Sequence, residues 1–428
     1  MKMNRRMFIQ RGSASLLAAS AAFTIAPARL FGANAPSRKV VMGMIGIGGM
    51  GSGNMGSFLG LNDVVIRAVC DPNKKKTEAA KASVDRRYNN QDCATYKDFR
   101  EMIARGDLDA VMIATPDHWH ATAATACARA GLDIYGEKPF SHDLREGRAM
   151  VAAMRQHGRV WQTGSWQRSG GTFRRACEIV RNGRIGKIQR VEVGLPGGGG
   201  GKGDMSVRTP PPELDWDLWL GPAPYREFQG VYDWDWRWVL DWGGGQMMDW
   251  IGHHGDIAQW GLGTDLSGPV DFEGKGNFAL RGIFDSPTSY KVTCHYANGI
   301  ELIVADAGQQ PKGMGARWIG EKGWVWVDRG GIDAEPKSLL AEKIGAEEER
   351  LYNSPNHHAD FIQCVKNRRT TITPAEVAHR SASIGHLCEI AMVTGRKIRW
   401  NPDTEEILGD PAASALLGRA PRAPWNLS

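Results

Sequence analysis

At 428 residues, with 42% hydrophobic and 23% charged side chains, the chain is long enough for two or three domains with full cores and too apolar for disorder. Beyond one short N-terminal stretch no apolar run approaches the length of a bilayer span, so no integral membrane segment is expected in the mature chain. Nor does the formal charge of +6 mark a nucleic-acid partner: Lys2, Arg5, Arg6, Arg11 and Arg29 lie in an acid-free first 35 residues, and without them 48 basic residues face 47 acidic ones.

In chain order, Arg5-Arg6 beside Phe8, the Ala/Leu-rich stretch Ser13 to Ala26 and the small residues near Ala28 and Ala33 to Ala35 resemble a twin-arginine export signal over residues 1–35. That resemblance implies a periplasmic or otherwise exported protein, moved after folding and with its cofactor aboard. The seven cysteines are odd in number and lack a CxxC spacing, so neither a disulfide framework nor a zinc ribbon is expected.

From Lys39 an apolar run of strand type leads into Gly46-Ile47-Gly48-Gly49-Met50-Gly51, then a helix-length segment to Leu61, then a second apolar strand, Val64 to Cys70, ending in Asp71. This is what a dinucleotide needs. Gly46 turns the chain, Gly48 lets a pyrophosphate approach the helix N-terminus past Gly49 and Met50, Gly51 allows close packing, and Asp71 meets ribose hydroxyls. A carboxylate there repels a 2′-phosphate and favours NAD, while Lys74, Lys75 and Lys76 leave NADP open. Further strands at 110–114 and 132–135, with helices near 97–105, 118–130 and 142–157, complete a doubly wound α/β parallel sheet over residues 36–165.

Three motifs then carry a family resemblance: Thr115-Pro116-Asp117-His118-Trp119-His120, Gly136-Glu137-Lys138-Pro139, and Gly243 through Asp249 to His253. Together they resemble the glucose-fructose oxidoreductase/inositol dehydrogenase/MocA family. The resemblance implies an N-terminal Rossmann domain, a C-terminal α/β domain with a large, open, mostly antiparallel sheet (166–400), and NAD(P)-dependent oxidoreduction of sugars, polyols or related compounds. It also implies cofactor contacts at Thr115, Pro116, His120, Glu137 and Lys138, with Gln167 and Arg168 beside the nicotinamide where the chain crosses between domains. Homo-oligomerisation through the C-terminal sheet is expected, with no nucleic-acid partner.

The residue chemistry runs the same way. Hydride loss from a secondary alcohol requires a group that takes the hydroxyl proton, and Lys138, at the carboxyl end of a parallel strand, is the first candidate. Asp249 and His253, four apart, are expected to share one helical face as a tunable acid/base pair, with His254 pointing away, and the resemblance implies that they hold substrate hydroxyls. No third ligand stands at a supporting distance, so no metal is expected there. Eight of sixteen tryptophans fall between Trp216 and Trp260, and Trp236 and Arg237 among them are expected at a carbohydrate. His357, His358 and Asp360 are expected to pack, Gly197 to Gly201 to form a flexible loop or lid, and the tail 401–428 to lie over the surface or a neighbour. Two other functions remain open: redox-neutral glycoside cleavage, as in the NAD-using glycoside hydrolases of family 109, from whose pattern Ser52 after the glycine turn departs, and a non-catalytic sugar sensor.

Overall fold

The computed structural model describes residues 39–200, 203–279 and 281–427; the export signal read at 1–35, and Gly201 and Lys202 of the glycine run, lie outside the described residues. Six strands form the first sheet: β1 (Val40–Ile45), β2 (Val64–Cys70), β3 (Ala94–Tyr96), β4 (Ala110–Ile113), β5 (Asp133–Gly136) and β6 (Trp161–Thr163). Every pairing is parallel, in the order β3-β2-β1-β4-β5-β6, with the chain reversing direction of travel between β1 and β4. β4 and β5 are buried along their whole length, and β4 accordingly reads as an unbroken apolar run.

The second sheet has β7 (Ile188–Leu195), β8 (Asp271–Phe278), β9 (Pro287–His295), β10 (Glu301–Asp306), β11 (Gly315–Gly320), β12 (Gly323–Asp328), β13 (Gly331–Glu335), β14 (Ile398–Asn401) and β15 (Glu406–Ile407). Its order is β13-β12-β11-β7-β10-β9-β8-β14-β15, antiparallel except for β7 beside β10. Helices Gly171–Arg181, Asp256–Leu262 and Ala375–Thr394 pack on it, and the last also packs on Leu144–Gln156 of the first domain. Trp318, fully buried on β11, donates its indole N–H to the Ala258 carbonyl at 3.2 Å, pinning helix to sheet. One apolar core runs from Ile45 and Ile113 through Val191 to Trp318 and Leu387, so the two domains share an interior.

One expectation is refined and one changes. The tail 401–428 lies over the surface but is anchored there: its β15 pairs with β14 at the sheet edge, and Trp425 packs edge-on against Trp119 at 4.7 Å with the Arg100 guanidinium 4.3 Å above it. The described part of the glycine run is no free loop. Gly198 donates to the Thr288 carbonyl at 2.8 Å, and a Cβ there would lie 2.0 Å from the Pro287 oxygen, so glycine is required for close approach to β9.

Candidate active site

The loop after β1 is shaped by what glycine permits. Gly46 has φ +82°, and a Cβ on it would sit 2.6 Å from the Ala114 carbonyl oxygen; one on Gly51 would sit 1.9 Å from the Gly46 oxygen. Around Gly48 and Gly49 no atom lies within 4 Å of a Cβ position, so the loop is open on its cleft side. The following helix, Gly49–Leu59, has neither a side-chain cap nor an acid in its first turn, which leaves its N–H groups available to an anion. At the tip of β2 the buried Asp71 carboxylate accepts from Ile47 N (2.8 Å) and Asn73 N (2.9 Å); burial raises its pKa, opposed by Lys76 and those two N–H groups.

From this loop a cleft of ≈ 1280 Å³, counted out to its open mouth, runs past Gly46, Gly48, Gly49, Met50 and Asp71, then Thr115 and Pro116, to Glu137, Lys138, Trp236, Arg237 and Asp249. The residues present fit a dinucleotide: an uncapped helix start, an acid at the second strand tip, and beyond them the unpartnered buried Thr115 Oγ1 and Glu137 Oε2. The other Glu137 oxygen accepts from Asn54 Nδ2 at 2.8 Å, and Asn54 is held by His358 at 3.0 Å. His358 therefore stands behind the cleft, stacked on Tyr135 at 5.1 Å, while His357 bonds Ser169 and the Thr163 carbonyl.

At the far end Lys138 Nζ lies 2.6 Å from Asp249 Oδ1 and 3.0 Å from the Asp249 carbonyl, with Arg237 Nε 3.5 Å from the same carboxylate oxygen. Burial alone would raise Asp249, but the Lys138 and Arg237 charges outweigh it and hold the carboxyl below its ordinary value. Asp117, whose side chain the sequence reading passed over although it stands inside the Thr115–His120 motif, also lines this end. Burial, and then the Asp249 charge, push its carboxyl well up, so the two acids at this end are shifted in opposite directions. His253 is buried with Nδ1 unpartnered, and desolvation together with the Lys138 and Arg329 charges holds its imidazole neutral.

The helix carrying Asp249 is not the uniform α-helix expected. It is α over Gly245–Trp250 and π over Ile251–Gly255, so His253 follows Asp249 through a wider turn than a 3.6-residue count gives. His253 meets the Trp250 and Trp166 rings at 5.5 and 6.4 Å, and His254 lies against Trp250 with both ring nitrogens unpartnered.

Four residues read as cofactor contacts stand outside the cleft lining. Gly51 packs the helix on the loop, as above. His120 is buried and bonds the Thr115 and Pro139 carbonyls at 3.0 and 2.8 Å, tying together the loops after β4 and β5. Gln167, with its amide turned to satisfy both neighbours, donates to the His253 carbonyl (3.3 Å) and accepts from Arg329 Nε (3.1 Å). Arg168 corrects the expectation most clearly: it is 2% exposed and bridges Asp256 (2.7 and 2.8 Å) and Asp265 (2.8 Å), beneath Trp260 at 5.2 Å. Its charge is consumed inside the second domain.

The tryptophans divide as well. Trp216, Trp219 and Trp242 meet one another, one pair stacked and two edge-on, at 4.9 to 5.7 Å in a buried cluster of which Trp219 also touches the cleft, whereas Trp234 and Trp236 line the cleft and sandwich Arg237 at 4.0 and 4.5 Å. The segment bearing them straps across the loop after β2. Lys75 pairs with Glu213 (2.6 Å), Lys76 with Asp233 (2.6 Å) and Lys97 with Asp215 (2.7 Å), while Lys74 N donates to the Glu213 carbonyl and Asn73 bridges Leu214. Tyr232, Asp233 and Trp234 thereby wall the end of the cleft nearest Asp71.

A Rossmann sheet whose glycine loop opens into a cleft ending at a lysine–carboxylate pair on a second, mainly antiparallel domain defines a two-domain NAD-binding oxidoreductase. The chain belongs to the Gfo/Idh/MocA oxidoreductase family: residues 40–165 match its NAD-binding Rossmann fold and residues 196–427 its C-terminal alpha/beta domain. Among its relatives, the oxidoreductase YrbE of Bacillus subtilis is 24% identical over 301 residues, 68% of this chain and 74% of YrbE. A glycosyl hydrolase family 109 protein of Shewanella sp. is 29% identical over 143 residues, which is 31% of each chain, so this likeness spans less than a third of the hydrolase. The WlbA dehydrogenase of Bordetella pertussis, solved in complex with NADH and UDP-GlcNAcA, shares the fold with a TM-score of 0.63 at 19% identity, over 85% of this chain and 99% of that one.

Proposed function

We propose that this protein oxidises a hydroxyl-bearing carbon of a sugar, polyol or glycoside with NAD, outside the cytoplasm, on a cofactor it retains through turnover. The observation that carries the reading is the Lys138–Asp249 pair, 2.6 Å apart where the dinucleotide cleft ends; His253, with a free ring nitrogen, is buried outside the cleft lining, within reach of the Lys138 charge. Bound in the cleft, the nicotinamide supplies the hydride acceptor. Asp249, kept ionised, accepts a hydrogen bond from a substrate hydroxyl and fixes the sugar's orientation. Lys138 donates to the oxygen of the reacting carbon and stabilises negative charge there as the O–H bond breaks. That proton passes to the His253 imidazole as the carbon gives up its hydride, leaving a carbonyl.

Several features favour NAD over NADP. Asp71 occupies the ribose position, and the lysines that would welcome a 2′-phosphate are engaged: Lys75 by Glu213, Lys76 by Asp233, and Lys74 by Glu78 at 3.7 Å. Retention is supported by the strap over that end of the cleft, and export by Arg5-Arg6 in an acid-free N-terminal stretch. Self-association through the second sheet is supported by the half-buried Trp324 and Trp326, which alternate along β12 with the fully buried Val325 and Val327.

The strap also favours a second reading, redox-neutral cleavage of a glycoside, in which the carbonyl is reduced again before the product leaves and cofactor exchange is unnecessary. One experiment separates the two: net reduced nicotinamide and aglycone release measured side by side on a panel of glycosides and free sugars. Accumulating reduced cofactor supports oxidation, aglycone release without it supports cleavage, and neither from any carbohydrate defeats both.

A further inference from the structure

We propose that the substrate is an acidic sugar whose carboxylate is held by Arg329. The inference rests on the reading of the Lys138–Asp249–His253 face as the sugar site. Arg329 sits in the hairpin turn between β12 and β13, far from the cofactor loop in sequence, and meets the helix that carries Asp249 and His253 at Trp250, outside the cleft lining described above. Its guanidinium lies 4.3 Å from the centroid of the Trp250 ring and 4.7 Å from that of Trp166, while Nε is held by Gln167, which itself reaches the His253 carbonyl. These contacts fix the plane of the fork and the direction in which its two terminal nitrogens point.

Those terminal nitrogens make no hydrogen bond or ion pair among the described residues, whereas Arg237, the other indole-sandwiched arginine, reaches Asp249. Burial lowers the Arg329 pKa, with Asp249 opposing from too far away to form a pair. Arg329 is exposed, with the Trp250 and Trp166 rings covering part of its guanidinium, and a planar, oriented guanidinium with open donors matches a carboxylate with two parallel hydrogen bonds. Beside it Trp166 remains 40% exposed, an apolar surface for a sugar ring, and His253 Nδ1 is unpartnered. Indole, cation and hydroxyl-binding groups thus converge on one corner, as a uronic acid requires.

The test compares matched ligands that differ only in the carboxylate: nitrophenyl glucuronide against nitrophenyl glucoside, and galacturonide against galactoside, both anomers of each. Binding to the NAD-loaded holoenzyme is read by calorimetry and by the fluorescence of the tryptophans around Arg329. At least one acidic member should bind about tenfold or more tightly than its neutral partner. Arg329→Gln should abolish that preference and Arg329→Lys should keep part of it. Equal binding of acidic and neutral partners, failure of every acidic sugar to bind, or a preference that survives in Arg329→Gln would overturn the assignment. Nicotinamide absorbance in the same samples separates this from the functional reading. An acid preference without hydride transfer upholds Arg329 and defeats the oxidoreductase, and oxidation of neutral sugars with no acid preference does the reverse.

Discussion

Lys138→Ala tests the chemistry and the electrostatics together. The variant removes one partner of a pair whose side chains are 9% and 18% exposed, leaving Asp249 with Arg237 at 3.5 Å as its remaining cationic neighbour. Breaking a fully buried pair costs about 3–5 kcal/mol; partial exposure and the surviving arginine bring the expected loss here to about 2 kcal/mol. In the wild type Asp249 is depressed below its unfolded value, so its contribution is present above the unfolded carboxyl pKa and is lost as pH falls through the folded one. Without Lys138 burial outweighs the single remaining charge and the folded pKa rises above the unfolded one. The penalty is then full at neutral and alkaline pH and shrinks towards acid. Melting curves of wild type and variant should therefore converge as pH falls, and Lys138→Ala/Asp249→Asn should recover much of the lost Tm without recovering activity. Turnover of Lys138→Ala should drop by about 100-fold or more, while cofactor recovered by denaturing extraction stays at the wild-type level because the glycine loop is untouched. Near-normal turnover, or a Tm gap that does not change with pH, would refute the assignment.

Three further outcomes are expected. His253→Gln should lower turnover by about 100-fold, whereas His254→Gln should alter Tm with little effect on turnover; equal losses would mean that the π-turn does not single out His253. Asp71→Ala should narrow the discrimination between NAD and NADP by about tenfold, measured as the ratio of their Kd values, and unchanged Kd values for both would remove Asp71 from the ribose. Lys76→Ala, Asp233→Asn or raised salt should each speed the loss of cofactor during dialysis, because the pairs closing the strap are exposed and screened; loss at the wild-type rate throughout would show that the strap is no gate.

How much was legible depended on the range of the cause. The turn at Gly46 and the acid at Asp71 were readable because their requirements are local: a positive φ, a missing Cβ, a strand tip. Lys138 and Asp249 stand 111 positions apart, and only the family motifs paired them. Arg168 looked like a cleft residue because its partners, Asp256 and Asp265, lie 88 and 97 positions on, and an arginine carries no sign of which acid will claim it. The π-turn at Ile251–Gly255 was hidden because a spacing of four suits α and π geometry alike. Aromatic density could not separate the interior pair Trp216 and Trp242 from Trp236 in the cleft, since both call for the same side chain. Nothing around Arg329 in sequence points to the site, for a hairpin turn reaches it only after nine strands have been ordered into one sheet.

That ordering gives the strap a double attachment. Asp233 holds Lys76 at the cofactor end, and four residues later Arg237 approaches Asp249 at the reaction end, the span between them stiffened by Arg237 wedged between Trp234 and Trp236. A movement that frees Asp233 from Lys76 therefore also draws on Arg237. Arg237 lowers the Asp249 carboxyl alongside Lys138, so a movement that withdrew it would leave Asp249 with Lys138 at 2.6 Å as its remaining cationic neighbour. Under the proposed function, the two attachments couple the hold on the cofactor to the charge around Asp249.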